Sequence, residues 1–409
     1  MDFNLYKPKE KPSFWHKRIH FGVVIFVIVI SFAGVLWLLH KNTKIISELD
    51  NFPGTIFQKH VKKTFSETPI KEEWHFTPGP ISMDQIKKNG CVADGFLSGY
   101  GDKTGEITKT LERSKCVYLH RALETWLHPP DFEKAVEIMK GMDKNPVVYG
   151  MFLAEAISTR RRYVDPNWDH EFKFDKMCRG QDKNHWEKNS CIPSIDKPEY
   201  QRYLKSITHR AMDIGIQSFM FGQIELQDEN PNFDNTQVKN VLDDMRSYAK
   251  EKNIQIIIGA QTNSIMDERY LRLFDYIEGG VGIDSNGSVE DQPCSSKFSS
   301  CWALLWNKRY SLISNNVLLH LDWSGLTWDD MGIFARMNQD KRIETLSSLY
   351  HKFTDQNMGF LMPFLAVLNN HNDGCYGPNK SFYVPSKKYR CDDEDKINKM
   401  MPDVPKGNL

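Results

Sequence analysis

The chain lacks net charge. Fifty-three lysines and arginines balance fifty-three aspartates and glutamates in 409 residues, which removes the broad electrostatic case for binding nucleic acid. It also lacks the G-x-S-x-G elbow of serine hydrolases, the H-E-x-x-H of zinc proteases and the Walker phosphate loop. Its glycine-rich stretches, GFLSGYG at 95–101 and GGVG at 279–282, do not match G-x-G-x-x-G, so no dinucleotide site is indicated. No two cysteines have the close spacing of a zinc knuckle, and no H-x-H stands at Asp94-Gly95-Phe96, where a metal-dependent barrel hydrolase would carry one. Neither a metal nor a cofactor is expected. Internal repeats and low-complexity tracts are missing too, which excludes solenoids and disordered tails.

What is present begins with Phe21 to Leu39, nineteen residues without a charge. At 1.5 Å per residue they reach roughly 28 Å, about one hydrocarbon core. Lys7, Lys9, Lys11, Lys17 and Arg18 precede the run, and only Lys41 and Lys44 follow closely, so the N-terminus is expected in the cytoplasm. A cleaved signal peptide is the competing reading. The run is long for that, and HKNTKIISELD offers no small-x-small cleavage site. The organisation expected is a cytoplasmic tail at 1–20, a transmembrane helix at 21–39, a stalk at 40–85 and one extracytoplasmic domain at 86–409.

All eight cysteines lie beyond the apolar run, as neighbours in sequence: Cys91 and Cys116, Cys178 and Cys191, Cys294 and Cys301, Cys375 and Cys391. An even count on that side suggests disulfides, and short loop closure favours nearest-neighbour pairing among the many connectivities possible. Asn286-Gly-Ser and Asn379-Lys-Ser are glycosylation triplets in a suitable host.

From residue 90, short apolar runs alternate with polar helical stretches. The runs are 91–99, 116–124, 147–157, 216–226, 254–262, 276–284, 317–323 and 359–368. Eight near-continuous apolar strands with helices between them predict a parallel sheet covered on its outer face, and the count of eight predicts a (β/α)8 barrel, a TIM barrel in the α/β class. Cys91 and Cys116 open the first two strands, so their bridge would tie the N-terminal ends, away from the active face.

A barrel site is built where the strands end. Those ends carry Asp94, Arg121, Glu124, Glu155, Gln223, Glu225, Gln261, Asn263, Asp284, Asp322, Trp323, Asn369 and Asn370. Strict alternation through strand four would turn Glu225 inward with Gln223, Phe221 and Phe219. On strand seven it turns Asp322 inward with His320 and Leu318. Glu278, early in strand six, reads as a buried structural pair.

In these positions the chain resembles the (β/α)8 glycoside hydrolases whose acid/base ends strand four and whose nucleophile ends strand seven. The resemblance implies Glu225 as acid/base and Asp322 as nucleophile or base. Ile224 stands where that group commonly has Asn before the acid, and Asp322 is shorter than the usual Glu. Asp94, Tyr100, Glu124, Glu155, Gln223, Gln261, Asp284 and Trp323 are the expected substrate-binding residues, with Tyr100, Trp126 and Trp323 able to stack on sugar rings. The function implied is hydrolysis of a surface or cell-wall glycan, with carbohydrate and the membrane as partners. A catalytically silent barrel that binds glycan or a partner protein is the alternative.

Overall fold

The computed structural model describes residues 78–404 apart from 102–104, 144–146, 168–169, 264, 266, 290–315, 324–328 and 369–373. The expected membrane helix, nearly all of the stalk, Cys294 and Cys301, and Asn369 and Asn370 lie outside the described residues. Among the described residues no helix is long and apolar enough to cross a membrane.

The domain is a curled, barrel-like parallel sheet. Its strands are β1 (Gly90–Ala93), β2 (Tyr118–Leu123), β3 (Val148–Leu153), β4 (Ile216–Phe221), β5 (Ile257–Gln261), β6 (Tyr276–Val281), β7 (Val317–Leu321) and β8, which runs in two segments, Gly359–Phe360 and Met362–Val367. Neighbours in sequence pair in parallel from β1 through β7. The first segment of β8 pairs with β7 and the second with β1, so the two ends of the sheet meet in one stretch of chain. All eight apolar runs of the sequence are strands here. They overshoot at their C-terminal ends, because the rim residues that follow each strand are buried as well.

Helices on the outside begin where the sequence supplies caps. Asp131 accepts a hydrogen bond from the Lys134 amide and opens Phe132–Lys140, while Asn338 accepts from Lys341 and opens Gln339–Thr354. Each lays an apolar stripe on the sheet, for example Leu346, Leu349 and Phe353. Between β3 and helix Pro198–Asp213 an insertion folds into three antiparallel strands, Ile157–Ser158, Cys178–Lys183 and Ser190–Pro193.

Three of the expected disulfides are present: Cys91–Cys116, Cys178–Cys191 and Cys375–Cys391, with Cα separations of 5.7, 5.8 and 4.8 Å. The first ties the starts of β1 and β2, the second staples the insertion, and the third closes the segment after β8. Three bridges accord with an oxidising, extracytoplasmic compartment.

The interior parity of β7 is as expected, with His320 turned inward. That of β4 is the reverse. Ser218 meets the hydroxyls of Tyr118 and Tyr276 inside the sheet, and a Cβ on Gly222 would fall 2.4 Å from the ring of Phe152. Ser218, Met220 and Gly222 therefore face inward, and alternation puts Phe219 and Phe221 on the helix-packed side. The strand also stops at Phe221: Gln223 has φ +25°, and Ile224–Gln227 is a single helical turn, so alternation does not carry through to Glu225.

Candidate active site at the strand ends

Strand β2 breaks its register between Leu119 and Leu123, and Arg121 sits at φ +54°. A non-glycine residue in that region is strained by about 1–3 kcal/mol. The bulge has a structural result: His120 and Arg121, consecutive in sequence, both turn inward. Arg121 then becomes the hub of the rim. Its guanidinium lies 3.7 Å from the centre of the Phe152 ring and 4.8 Å from that of Trp323. It pairs with Glu124 at 2.8 Å and with Asp94 at 3.5 Å. Trp323 Nε1–H donates to the other oxygen of Asp94 at 2.9 Å. Glu124 also accepts from the amides of Thr125 and Trp126. Tyr100, whose hydroxyl meets His128 Nε2 at 3.3 Å, feels the charges of Glu124 and Asp94. Burial pushes the Asp94 carboxyl up to about 7, against the pull of Arg121.

Glu155, at the end of β3, is 2% exposed. Its Oε1 accepts from Gln223 Nε2 at 2.7 Å, and its Oε2 is buried without a hydrogen-bond partner. Gly222 leaves the room for that oxygen, since a Cβ there would sit 2.1 Å from it. Burial pushes Glu155 up to about 7, while the Gln223 hydrogen bond and Arg121 pull the other way. Gln261 braces the same corner by accepting from the Gln223 amide. Trp186, carried by the insertion, donates from Nε1 to the Glu155 carbonyl at 3.0 Å and packs edge-on against Trp126, ring centres 5.0 Å apart.

Asp322 follows β7 and lies over Gly280 of β6, where a Cβ would fall 2.7 Å from its own Cβ. Beneath it the sheet interior is polar. His120 Nε2 is 3.3 Å from Glu278 Oε1, His320 Nε2 meets the same oxygen, and the Tyr118 hydroxyl is 2.9 Å from His120 Nδ1. Glu278 is thus the buried partner expected of it, and it has two histidines.

The structure gathers Asp94, Glu124, Trp323 and Tyr100 around Arg121, and Glu155, Gln223 and Gln261 in the adjoining corner. Two of the expected residues keep other company. Glu225 lies in the turn after β4, held by Asn263, and its backbone carbonyl accepts from Arg179. Asp284 closes its own turn, accepting from the amides of Asn286 and Ser288. Sequence reasoning placed Arg121 at a strand end without giving it a role, and passed over Trp186. Arg121 stood at a strand end, but the bulge that turns it inward has no sequence signature. Trp186 lies in an insertion whose path only the Cys178–Cys191 bridge constrains.

No protein-family profile matches the chain, and no curated protein does. Among solved structures it is similar to a GH27 β-L-arabinopyranosidase from Geobacillus stearothermophilus, both as a variant in complex with arabinose and as wild type. The former gives TM-score 0.29 and 10% identity over 49% of this chain, the latter 0.28 and 9% over 48%. It is also similar to a GH138 enzyme targeting pectin rhamnogalacturonan II, with TM-score 0.38 and 11% identity over 78% of this chain. The chain spans 55% and 54% of the two arabinopyranosidase chains and 37% of the GH138 chain. These similarities assign no residue a role.

Proposed function

We propose that the protein is an extracytoplasmic, membrane-anchored glycoside hydrolase in which Glu155 is the proton donor and Asp322 the opposing carboxylate. The observation that carries this is Glu155. A rim carboxyl with one oxygen bound to Gln223, the other buried without a partner, and a pKa pushed up to about 7 holds its proton near neutral pH. Cleavage of a glycosidic bond needs such an acid to protonate the leaving oxygen, and a second carboxylate to attack the anomeric carbon or activate water. Asp322 faces inward from β7; burial raises its carboxyl above the ordinary aspartate value, while His320 and, more weakly, Arg121 pull it back toward the ionised form. Glu225 is the competing acid, with its own carboxyl raised by burial. Trp186, bonded to the Glu155 carbonyl, and Trp126 packed against it are the aromatic rings at this corner that a sugar ring would stack on.

The full-length protein should be assayed on a glycan panel and on aryl glycosides. Glu155→Gln and Asp322→Asn should each lose about 10²-fold or more in kcat/KM, as removal of a general acid does. Glu225→Gln should stay within a few-fold of wild type. The deficit of Glu155→Gln should shrink on substrates whose leaving group needs no proton. An active wild type matched by Glu155→Gln on every substrate would overturn the assignment. Glycan binding without turnover would favour the silent barrel.

A further inference from the structure

Beneath the rim, His120 from β2, Glu278 from β6 and His320 from β7 point into the sheet interior, each at most 1% exposed. One nitrogen of each histidine and one oxygen of the glutamate all lie within 4.8 Å of one another. We infer that these three residues form a binding site for one divalent transition-metal ion of the zinc type.

The orientation of the rings is the first ground. His320 Nδ1 is 2.8 Å from the Leu321 carbonyl, which can only accept, so Nδ1 carries a proton. In the neutral ring, Nε2 then presents its lone pair to Glu278. His120 Nδ1 lies 2.9 Å from the Tyr118 hydroxyl, which is able to accept its N–H, and Nε2 is turned to the same carboxylate. Metal-binding histidines are typically held this way, the far nitrogen fixed by a carbonyl or another polar group and the near one free for the ion.

The second ground is the glutamate. Its Oε2 is fully buried without a hydrogen-bond partner, and among the described residues its only ion-pair partners are the two histidines. Arg121 is engaged by Asp94 and Glu124. A buried carboxylate in that position needs either a proton on an imidazole or a cation, and two nitrogens and an oxygen suit a borderline-soft divalent ion. The 3.3 Å between His120 Nε2 and Glu278 Oε1 also equals the ligand–ligand edge of a tetrahedron, roughly 3.3–3.4 Å for bonds of about 2.0–2.1 Å. The His320–Glu278 edge opens when the ion enters.

This inference does not depend on the glycosidase reading. The test is binding, not turnover. Full-length protein stripped with a chelator should take up one Co²⁺ per chain with the visible absorption of nitrogen–oxygen coordination, and Zn²⁺ should displace it. Glu278→Gln and His320→Gln should each weaken Zn²⁺ by more than about 100-fold. Tyr118→Phe, which only releases a ligand's far nitrogen, should weaken it about 10-fold. Absence of stoichiometric Co²⁺ uptake overturns the site in favour of a buried imidazolium–carboxylate pair. Uptake that both substitutions leave unchanged overturns it equally. Should the variants fail to fold by near-ultraviolet circular dichroism, the wild-type Co²⁺ spectrum decides alone.

Discussion

Glu155 can be tested without knowing the substrate, through stability. Its carboxyl is raised from an ordinary 4.5 to about 7 by burial. Between those values the folded protein holds a proton that the unfolded chain has released. Stability therefore falls as pH rises across the window and stays lower above it. At about 1.4 kcal/mol per pH unit, the difference between the two ends is about 3 kcal/mol. Glutamine imitates the protonated acid: its oxygen can keep the Gln223 hydrogen bond, and its amide replaces the buried Oε2 without a charge. Glu155→Gln should thus match wild type in urea unfolding at pH 4. At pH 8 it should be more stable by about 3 kcal/mol, with an unchanged m-value. The disulfides are kept intact and both proteins are measured at both pH values, so contributions from other titrating groups cancel in the difference. An equal gap between variant and wild type at pH 4 and pH 8 would refute the raised acid, and with it the case for Glu155 as proton donor. The same acid predicts a kcat/KM that declines above about pH 7, with that limb gone in the variant.

Other substitutions probe the frame around it. Gly222→Ala puts a methyl 2.1 Å from Glu155 Oε2 and 2.4 Å from Phe152. It should cost about 1–3 kcal/mol in urea unfolding and remove most activity by displacing the acid. A variant with wild-type turnover would show that Glu155 has no fixed position. Arg121→Met leaves Asp94 and Glu124 buried without their cation and should cost about 3–5 kcal/mol in the same measurement; a loss under about 1 kcal/mol would contradict the hub. Replacing Cys91 and Cys116 together by Ala should cost about 2–4 kcal/mol yet leave kcat/KM intact, because that bridge ties strand starts at the end opposite the site. A matching fall in kcat/KM of the folded double variant would place it elsewhere.

The eight-strand rhythm was legible because strands covered on both faces read as apolar runs whatever their parity. That same property hid the parity of β4. Ser218, Met220 and Gly222 line the interior, and Phe219 and Phe221 pack outward, so hydrophobicity alone favoured the phenylalanines as the inner set. On β7 the inner residues are His320 and Asp322, polar groups that had no place against the helices, and there alternation succeeded. Three disulfides followed from spacing and strand starts. Arg121 could not be foreseen, since its inward turn depends on φ +54° in a bulge. Glu225 was misplaced for a related reason: Gln223, Ile224, Glu225 and Leu226 keep a strand-like alternation in sequence although the backbone has already left the strand at Gln223.

The bulge in β2 ties these observations into one piece of chemistry. Without it, alternation would send Arg121 outward when His120 points in. With it, one strand supplies a histidine to the interior and, next in sequence, the guanidinium that keeps two rim carboxylates paired. The rim and the buried His120–Glu278–His320 cluster are therefore held by the same strained turn. Asp322 spans the two levels, following His320 along β7 and resting on Gly280, two residues beyond Glu278. A backbone strained at that one residue persists only where its surroundings over-determine it. Here these are the ring of Phe152 on one side, Trp323 on the other, and two carboxylates at its end. Relaxing the bulge would swing Arg121 off both acids and shift His120 relative to Glu278. The ion pairs at the rim and the order in the interior would then be lost together rather than in sequence.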